Sequence, residues 1–152
     1  MPLSVERRMA AVTVISDLKN VVLIKRIERF DDPWSGDMAL PGGLIEQNES
    51  DLEAAVRECR EEIGFFPSRS VFFGTYETVK LSVKVSAFVD IESLPDHFIP
   101  GSEVDSIYIV KIGSLVPSID RRGFSCFLFG ENEIWGLTYR ILRDFIERFY
   151  TK

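Results

Sequence analysis

The chain has 152 residues, 45% of them hydrophobic and 28% charged, with a formal net charge of −6 and a pI near 4.9. That length suits one domain with a substantial core, expected to run from residue 1 to 152. The acidic balance argues against a broad nucleic-acid surface, and no apolar run reaches the roughly 18 residues that a membrane span needs.

Residues 1–8 are polar and read as loosely held. Arg7-Arg8 ahead of Met9–Ile15 has a faint look of a secretion signal. Ser16 and Asp17 end that run early and no convincing small-residue cleavage site follows, so Met9–Ser16 reads as a strand. Asp17–Asn20 is a turn and Val21–Arg26 the second strand of a hairpin. Ile27–Asp37, with its Pro, Gly and acidic residues, is an irregular loop that serves either as a connection or as a substrate wall. It leads to Pro41-Gly42-Gly43, where two glycines point to special backbone angles or a close approach.

Residues 51–63 predict a helix. Ser50 opens a capping box with Glu53, and Gly64 supplies the stop. Leu52, Ala55, Val56, Cys59 and Ile63 recur at helical spacing as an expected buried stripe. At about 100° per residue, Glu58, Glu61 and Glu62 fall in one arc, expected on the side away from that stripe. Such carboxylates repel. They read either as a solvated face eased by Arg57 and Arg60 or as the oxygen ligands of a hard divalent cation. The double-glycine turn just upstream favours the cation, since a solvated helix does not need it.

Val71–Val79 and Lys84–Ile91 then read as strands joined by a short turn. A two-proline loop, 92–102, carries His97, the only histidine, which reads as plain surface. Val104–Ile112 is a strand, Gly113–Val116 a short helical turn, and Phe124–Phe129 another strand. From Ile134 onward Leu137, Ile141, Leu142, Phe145, Ile146 and Phe149 repeat at helical spacing. Ile134 and Trp135 read as helix-start packing. Cys59 and Cys126 lie in apolar patterns and form no CxxC, so they read as buried free thiols compatible with a reducing cytoplasm. The element order gives an α/β class: a mixed, twisted sheet with helices on its faces.

Residues 43–65 resemble the Nudix hydrolase signature, G-x5-E-x7-R-E-U-x-E-E-x-G-U, where U is bulky and apolar. Gly43, Glu49, Arg57, Glu58, Glu61, Glu62 and Gly64 occupy all the fixed positions, with Cys59 and Phe65 at the U positions. The resemblance implies an α/β/α sandwich and Mg²⁺-dependent hydrolysis at the pyrophosphate of a nucleoside diphosphate derivative, with Mn²⁺ as an alternative metal. It implies Glu58, Glu61 and Glu62 as metal ligands, joined by the Gly43 carbonyl, and Arg57 as the residue that holds Glu49 or a helix glutamate. Glu61, Glu62 and Glu103 are the candidates for the general base.

For the substrate, Gly36–Gly43, Glu103-Val104-Asp105 and Ile134–Thr138 resemble stretches of coenzyme A pyrophosphatases. Asp32 stands where that subfamily carries arginine, and its upstream Leu-Leu-Thr element is absent. ADP-ribose and ordinary or oxidised nucleoside triphosphates are the competing substrates, and a non-catalytic ligand-binding module is the competing class. Arg26, Arg29 or Lys25 is expected to meet the 3′-phosphate of coenzyme A, and Trp34 to contact substrate from the long loop. A homodimer is expected from the aromatic-rich strands, including Phe72-Phe73 and Phe124–Phe129.

Overall fold

The computed structural model describes residues 8–28, 37–78 and 82–150. The hairpin expected at the start forms as β1 (Arg8–Ser16) and β2 (Asn20–Arg26). Asp17 makes the turn: its Oδ1 accepts from the amides of Lys19 at 2.9 Å and Asn20 at 2.7 Å. The two strands pair only beside this turn, at Ser16 and Val21. Beyond it they part, and residues 38–44 fill the gap. There β3 (Met38–Ala39) pairs with β2 and β4 (Gly42–Leu44) pairs with β1, while the Thr13 amide donates to the Pro41 carbonyl. The expected Pro-Gly-Gly turn is therefore built into the sheet. Its paired segments are too short to show a period, which is why the sequence reads as a loop there.

Helix α1 (Asp51–Ile63) follows, then β5 (Ser70–Glu77), β6 (Val83–Ile91) and β7 (Val104–Lys111). β6 runs parallel to β1, β5 antiparallel to β6, and β7 antiparallel to β2, completing a mixed seven-stranded sheet. The short turn expected at Gly113–Val116 appears one residue earlier, as a 3₁₀ turn at Ile112–Ser114. A separate antiparallel sheet follows from β8 (Val116–Ile119), β9 (Ser125–Phe129) and β10 (Asn132–Ile134). Helix α2 (Gly136–Phe145) closes the order and runs into a π-helical turn at Ile146–Tyr150.

Side chains alternate across a strand, and the two helices take opposite faces. Ile15, Val22 and Ile24 pack with Cys59 and Ile63 of α1. Val14, Val21 and Leu23 pack with Ile141, Leu142 and Phe145 of α2. Each fully buried aliphatic or aromatic side chain contributes about 1.5–3 kcal/mol by leaving water. The sandwich expected from the resemblance is the architecture found.

One expectation about α1 needs correction. Leu52 is 42% exposed, whereas Ala54, Ala55, Cys59, Glu62 and Ile63 are buried. The buried stripe is rotated toward the small alanines, which pack with Ala11 and Phe88. Glu62 is thereby drawn against the sheet at 7% exposure, not held on the solvent side.

Candidate active site

Helix α1 is fixed at both ends as its sequence demands. Ser50 Oγ accepts from the Glu53 amide at 3.0 Å, Glu53 Oε1 accepts from the Ser50 amide at 2.9 Å, and Gly64 ends the helix in the left-handed region. Between these ends Arg57 acts as a hub. Its Nε donates to Glu49 Oε2 at 2.7 Å and its Nη2 to Glu49 Oε1 at 3.0 Å, a two-pronged grip. Nη1 donates to Glu58 Oε1 at 2.8 Å and to Glu61 Oε2 at 3.3 Å. Nη2 also reaches the Leu44 carbonyl at 3.1 Å and so ties the helix to β4. Charge-assisted bonds of this kind are the strong ones. The guanidinium holds the Glu49 carboxyl below the usual carboxylate range.

The double glycine brings sheet and helix together. The Gly42 amide donates to Glu62 Oε1 at 2.7 Å. A Cβ on Gly43 would stand 2.8 Å from the Glu58 carboxyl carbon, so only glycine lets that carboxylate lie on the β4 backbone. Burial pushes the Glu62 carboxyl up to about 8, against the pull of the Gly42 amide and with help from the Glu58 charge. Burial also raises Glu58, partly offset by Arg57. Two carboxyls held above their usual range, in a cluster of three, mark a site that a cation would relieve.

The donor set fits a hard divalent ion: all side-chain oxygens, beside a backbone turn stripped of side chains. Among the described residues no three His, Cys, Asp or Glu side chains are grouped so that they could hold a metal ion as they stand. Glu58 and Glu61 lean on Arg57, and Glu62 on Gly42.

A cavity of about 870 Å³ opens over this cluster. Glu58, Glu61, Glu62, Gly42 and Gly43 line it, and so do Arg26 and Glu103. The last two are brought to the same side because Arg26 ends β2 opposite Val104 of β7, and the Ile27 amide donates to the Glu103 carbonyl at 3.1 Å. Glu103 is exposed. Its approach depends on Gly101, whose amide donates to the Glu62 carbonyl at 3.1 Å. A Cβ on Gly101 would run into the Glu61 carbonyl oxygen. No sequence pattern announced this contact; it follows from the fold of the 92–103 loop across the end of α1.

Other parts of the lining are apolar, with Val12, Val83, Val85, Leu137 and Ile141, and they include Trp135. Ile134 packs in the core, but as the last residue of β10 and not at a helix start, and half-buried Trp135 is among the residues of the cavity wall. Lys25 does not line the cavity. Arg29 and Trp34, with Asp32 and the rest of 29–36, lie outside the described residues, so the substrate-wall reading of that loop does too. His97 is exposed, and both cysteines are buried and free.

A family model for the NUDIX domain matches residues 6–112. The chain belongs to the Nudix hydrolase family. Over 68 residues, 45% of this chain, it is 40% identical to an ADP-ribose pyrophosphatase of Methanocaldococcus jannaschii, covering 39% of that protein. Over 107 residues, 70% of this chain, it is 32% identical to a Bacillus subtilis protein provisionally named 8-oxo-dGTP diphosphatase, covering 67% of it. The crystal structure of a MutT/nudix family protein from Enterococcus faecalis superposes with a TM-score of 0.77 at 18% identity, over 97% of this chain and 64% of that one. The chain thus spans well under two thirds of the archaeal relative, and the structural likeness speaks for the Nudix fold. No helix among the described residues is long and apolar enough to cross a membrane.

Proposed function

We propose that this Nudix chain, acting as one domain, hydrolyses the pyrophosphate bond of a nucleoside diphosphate derivative with Mg²⁺, or Mn²⁺ in its place. One observation carries the reading: Glu58 and Glu62, pressed on the Gly42-Gly43 backbone, share a cavity with Glu61, Arg26 and Glu103. Glu58, Glu61, Glu62 and the Gly43 carbonyl would hold the metal. Bound there, it supplies positive charge for the phosphate oxygens and acidifies a water.

The chain's own residues do the rest. Arg57 holds Glu58 and Glu61 by one nitrogen and is itself braced by Glu49. Arg26 offers a cation to the phosphates, which an acidic cavity would otherwise repel. Glu103, Glu61 or Glu62 accepts the proton of the attacking water. A non-catalytic module is the weaker reading, because every glutamate of the signature is present.

Two substrates have specific support. The archaeal relative's name favours ADP-ribose. The Gly36–Gly43, Glu103–Asp105 and Ile134–Thr138 segments favour coenzyme A, which needs a further cation for its 3′-phosphate. ADP-ribose makes no such demand, and Asp32 stands where coenzyme A pyrophosphatases carry arginine. The apparent specificity constants for ADP-ribose, coenzyme A, dephospho-coenzyme A and 8-oxo-dGTP, measured together with and without Mg²⁺, test this. ADP-ribose is expected to exceed both coenzyme A forms by about tenfold or more, roughly 1.4 kcal/mol in transition-state binding. The reverse order assigns coenzyme A, and hydrolysis of none of them overturns the enzyme reading.

Exposed Phe72 (55%) and Phe124 (63%) support a homodimer, and two buried thiols suit a reducing cytoplasm. A light-scattering mass near 17 kDa at every concentration would refute the dimer.

A further inference from the structure

The wall of the cavity at the start of α2 is built with more care than a helix start needs. Trp135 occupies the N-cap position of α2, makes no side-chain cap bond and is one of the residues that line the cavity. The Arg122 guanidinium lies over that ring, 4.6 Å from its centroid, and 5.5 Å from the Phe124 ring centroid. Arg122 is not among the residues that line the cavity.

Arg122 is held in turn. Its Nη2 donates to Asp120 Oδ2 at 2.9 Å. The other oxygen of Asp120 accepts from the amides of Arg122 at 2.9 Å and Phe124 at 3.0 Å. Asp120 is buried at 9% exposure, and these donors keep its carboxyl below the usual carboxylate range. The Asp120 amide donates to the Phe124 carbonyl at 2.8 Å and closes the turn between β8 and β9. A tight turn on one sheet thus locks a planar cation, and the cation lies over the indole of a residue that lines the cavity.

We propose that Trp135 is the stacking platform for the planar base of the substrate, and that Arg122, fixed by Asp120, is the positioning residue behind it. This rests on the nucleotide reading above, which supplies an adenine or comparable base. Indoles stack on bases without needing a particular hydrogen-bond pattern. A guanidinium on the rear face restricts the ring by cation–π and planar stacking contact. The apolar neighbours Val12, Leu137 and Ile141 line the same cavity and suit a base better than a free phosphate. The signature residues then act on the pyrophosphate, while recognition of the base falls to a turn some 60 to 75 residues further along the chain.

The test needs a probe independent of catalysis. The chain has two tryptophans, so a nitrogen-15 spectrum gives two indole N–H signals, and Trp135→Phe assigns them. Adenosine is titrated in metal-free buffer, with ribose as the control. Adenosine is expected to shift the Trp135 indole signal saturably, and ribose to leave it in place. Trp135→Ala should weaken adenosine binding, read on neighbouring amides, by about tenfold. Trp135→Phe, which keeps a planar ring, should stay within about threefold of the parent. Arg122→Ala should move the Trp135 signal in the free protein and weaken adenosine about threefold.

In hydrolysis of ADP-ribose, Trp135→Ala should raise KM about tenfold and leave kcat within about threefold. An unmoved Trp135 signal, or an unchanged KM in Trp135→Ala, overturns the platform. Unchanged adenosine binding in Arg122→Ala overturns the positioning role. If the parent hydrolyses no nucleotide, the hydrolase reading falls, and the adenosine titration still decides this one.

Discussion

The two helices of this molecule begin in opposite ways. Helix α1 opens on a reciprocal Ser50–Glu53 capping box and closes on a left-handed Gly64. Helix α2 opens on Trp135, which caps nothing, and ends in a π-helical turn. A good side-chain cap is worth about 1 kcal/mol, so α2 forgoes that much local stability at its start. The residue that stands there instead, Trp135, lines the cavity. The difference separates two jobs. The helix that positions charge is fixed by its own sequence, so that Glu58, Glu61 and Glu62 keep a set spacing. The helix start that we propose to meet the base of a ligand departs from local preference, as functional positions do.

The sharpest way to break this division is Glu62→Gln. The amide keeps an acceptor for the Gly42 N–H, so the fold survives while the charge goes. Turnover should fall about a thousandfold, roughly 4 kcal/mol in barrier, with KM little changed. Stability should move the other way. The folded Glu62 carboxyl is raised from 4.5 to about 8, so the fold favours its protonated form. The metal-free parent therefore loses stability as pH rises from about 4.5 towards 8, and Glu62→Gln does not. Thermal unfolding in chelator at pH 5 and pH 8 checks the sign. Near-normal turnover of the variant at saturating Mg²⁺ would remove Glu62 from the metal site.

A smaller effect is expected at Glu103, which comes from the loop side of the cavity and not from α1. If it serves as base, Glu103→Gln lowers kcat by about 10- to 100-fold at a nearly constant KM. A kcat within about twofold of the parent makes Glu103 an exposed strand-end charge, and chemistry then belongs to α1 alone.

How much of this was legible follows the same line. The α1 caps and the Glu arc lie within one local stretch, and each has a physical signature at fixed spacing, whereas the grip of Arg57 on Glu49 or a helix glutamate came only with the resemblance to the Nudix signature. The hairpin, β6 and β7 were legible from their β-rich runs, as was α2 from its period. The burial of Glu62 was not, because it depends on Ala54 and Ala55 letting α1 settle on Ala11 and Phe88. Strands β3, β4 and β10 have two or three residues, too few for a period to show. The Gly101 contact with the end of α1 and the Arg122–Trp135 stack join segments far apart in sequence. Nothing local marks such pairs.

Ser50→Ala tests whether the local encoding of α1 matters to stability as the comparison requires. Loss of the Ser50 oxygen frees the Glu53 amide and half of the box, and should cost about 1 kcal/mol. For a chain of this length that lowers the Tm by about 2–4 °C. Turnover at 25 °C should stay near the parent value, since Gly64 and the Arg57 contacts persist. A Tm within about half a degree of the parent would show that tertiary packing alone holds α1.

The smallest expected effect lies just past the end of α1, where the chain returns to the sheet. Asp90 on β6 is buried, and its Oδ2 accepts from the Arg69 amide at 2.7 Å and Ser70 Oγ at 3.1 Å. Among the described residues none donates a hydrogen bond to its Oδ1. Burial and the adjoining Glu92 carboxyl push Asp90 up from 3.8 to about 6. The folded state thus favours a proton on Asp90, and its contribution is lost as pH rises from about 4 to 6. Asp90→Asn keeps an acceptor for Arg69 and Ser70 and adds a donor beside the Glu92 carboxylate. At pH 7 the variant should be as stable as the parent or more so, by up to about 1 kcal/mol. At pH 4 that advantage should vanish. Urea unfolding at the two pH values measures both. A loss at pH 7 would mean that the Asp90 charge holds the α1 exit in place, and that this end of the helix, too, depends on more than its Gly64 cap.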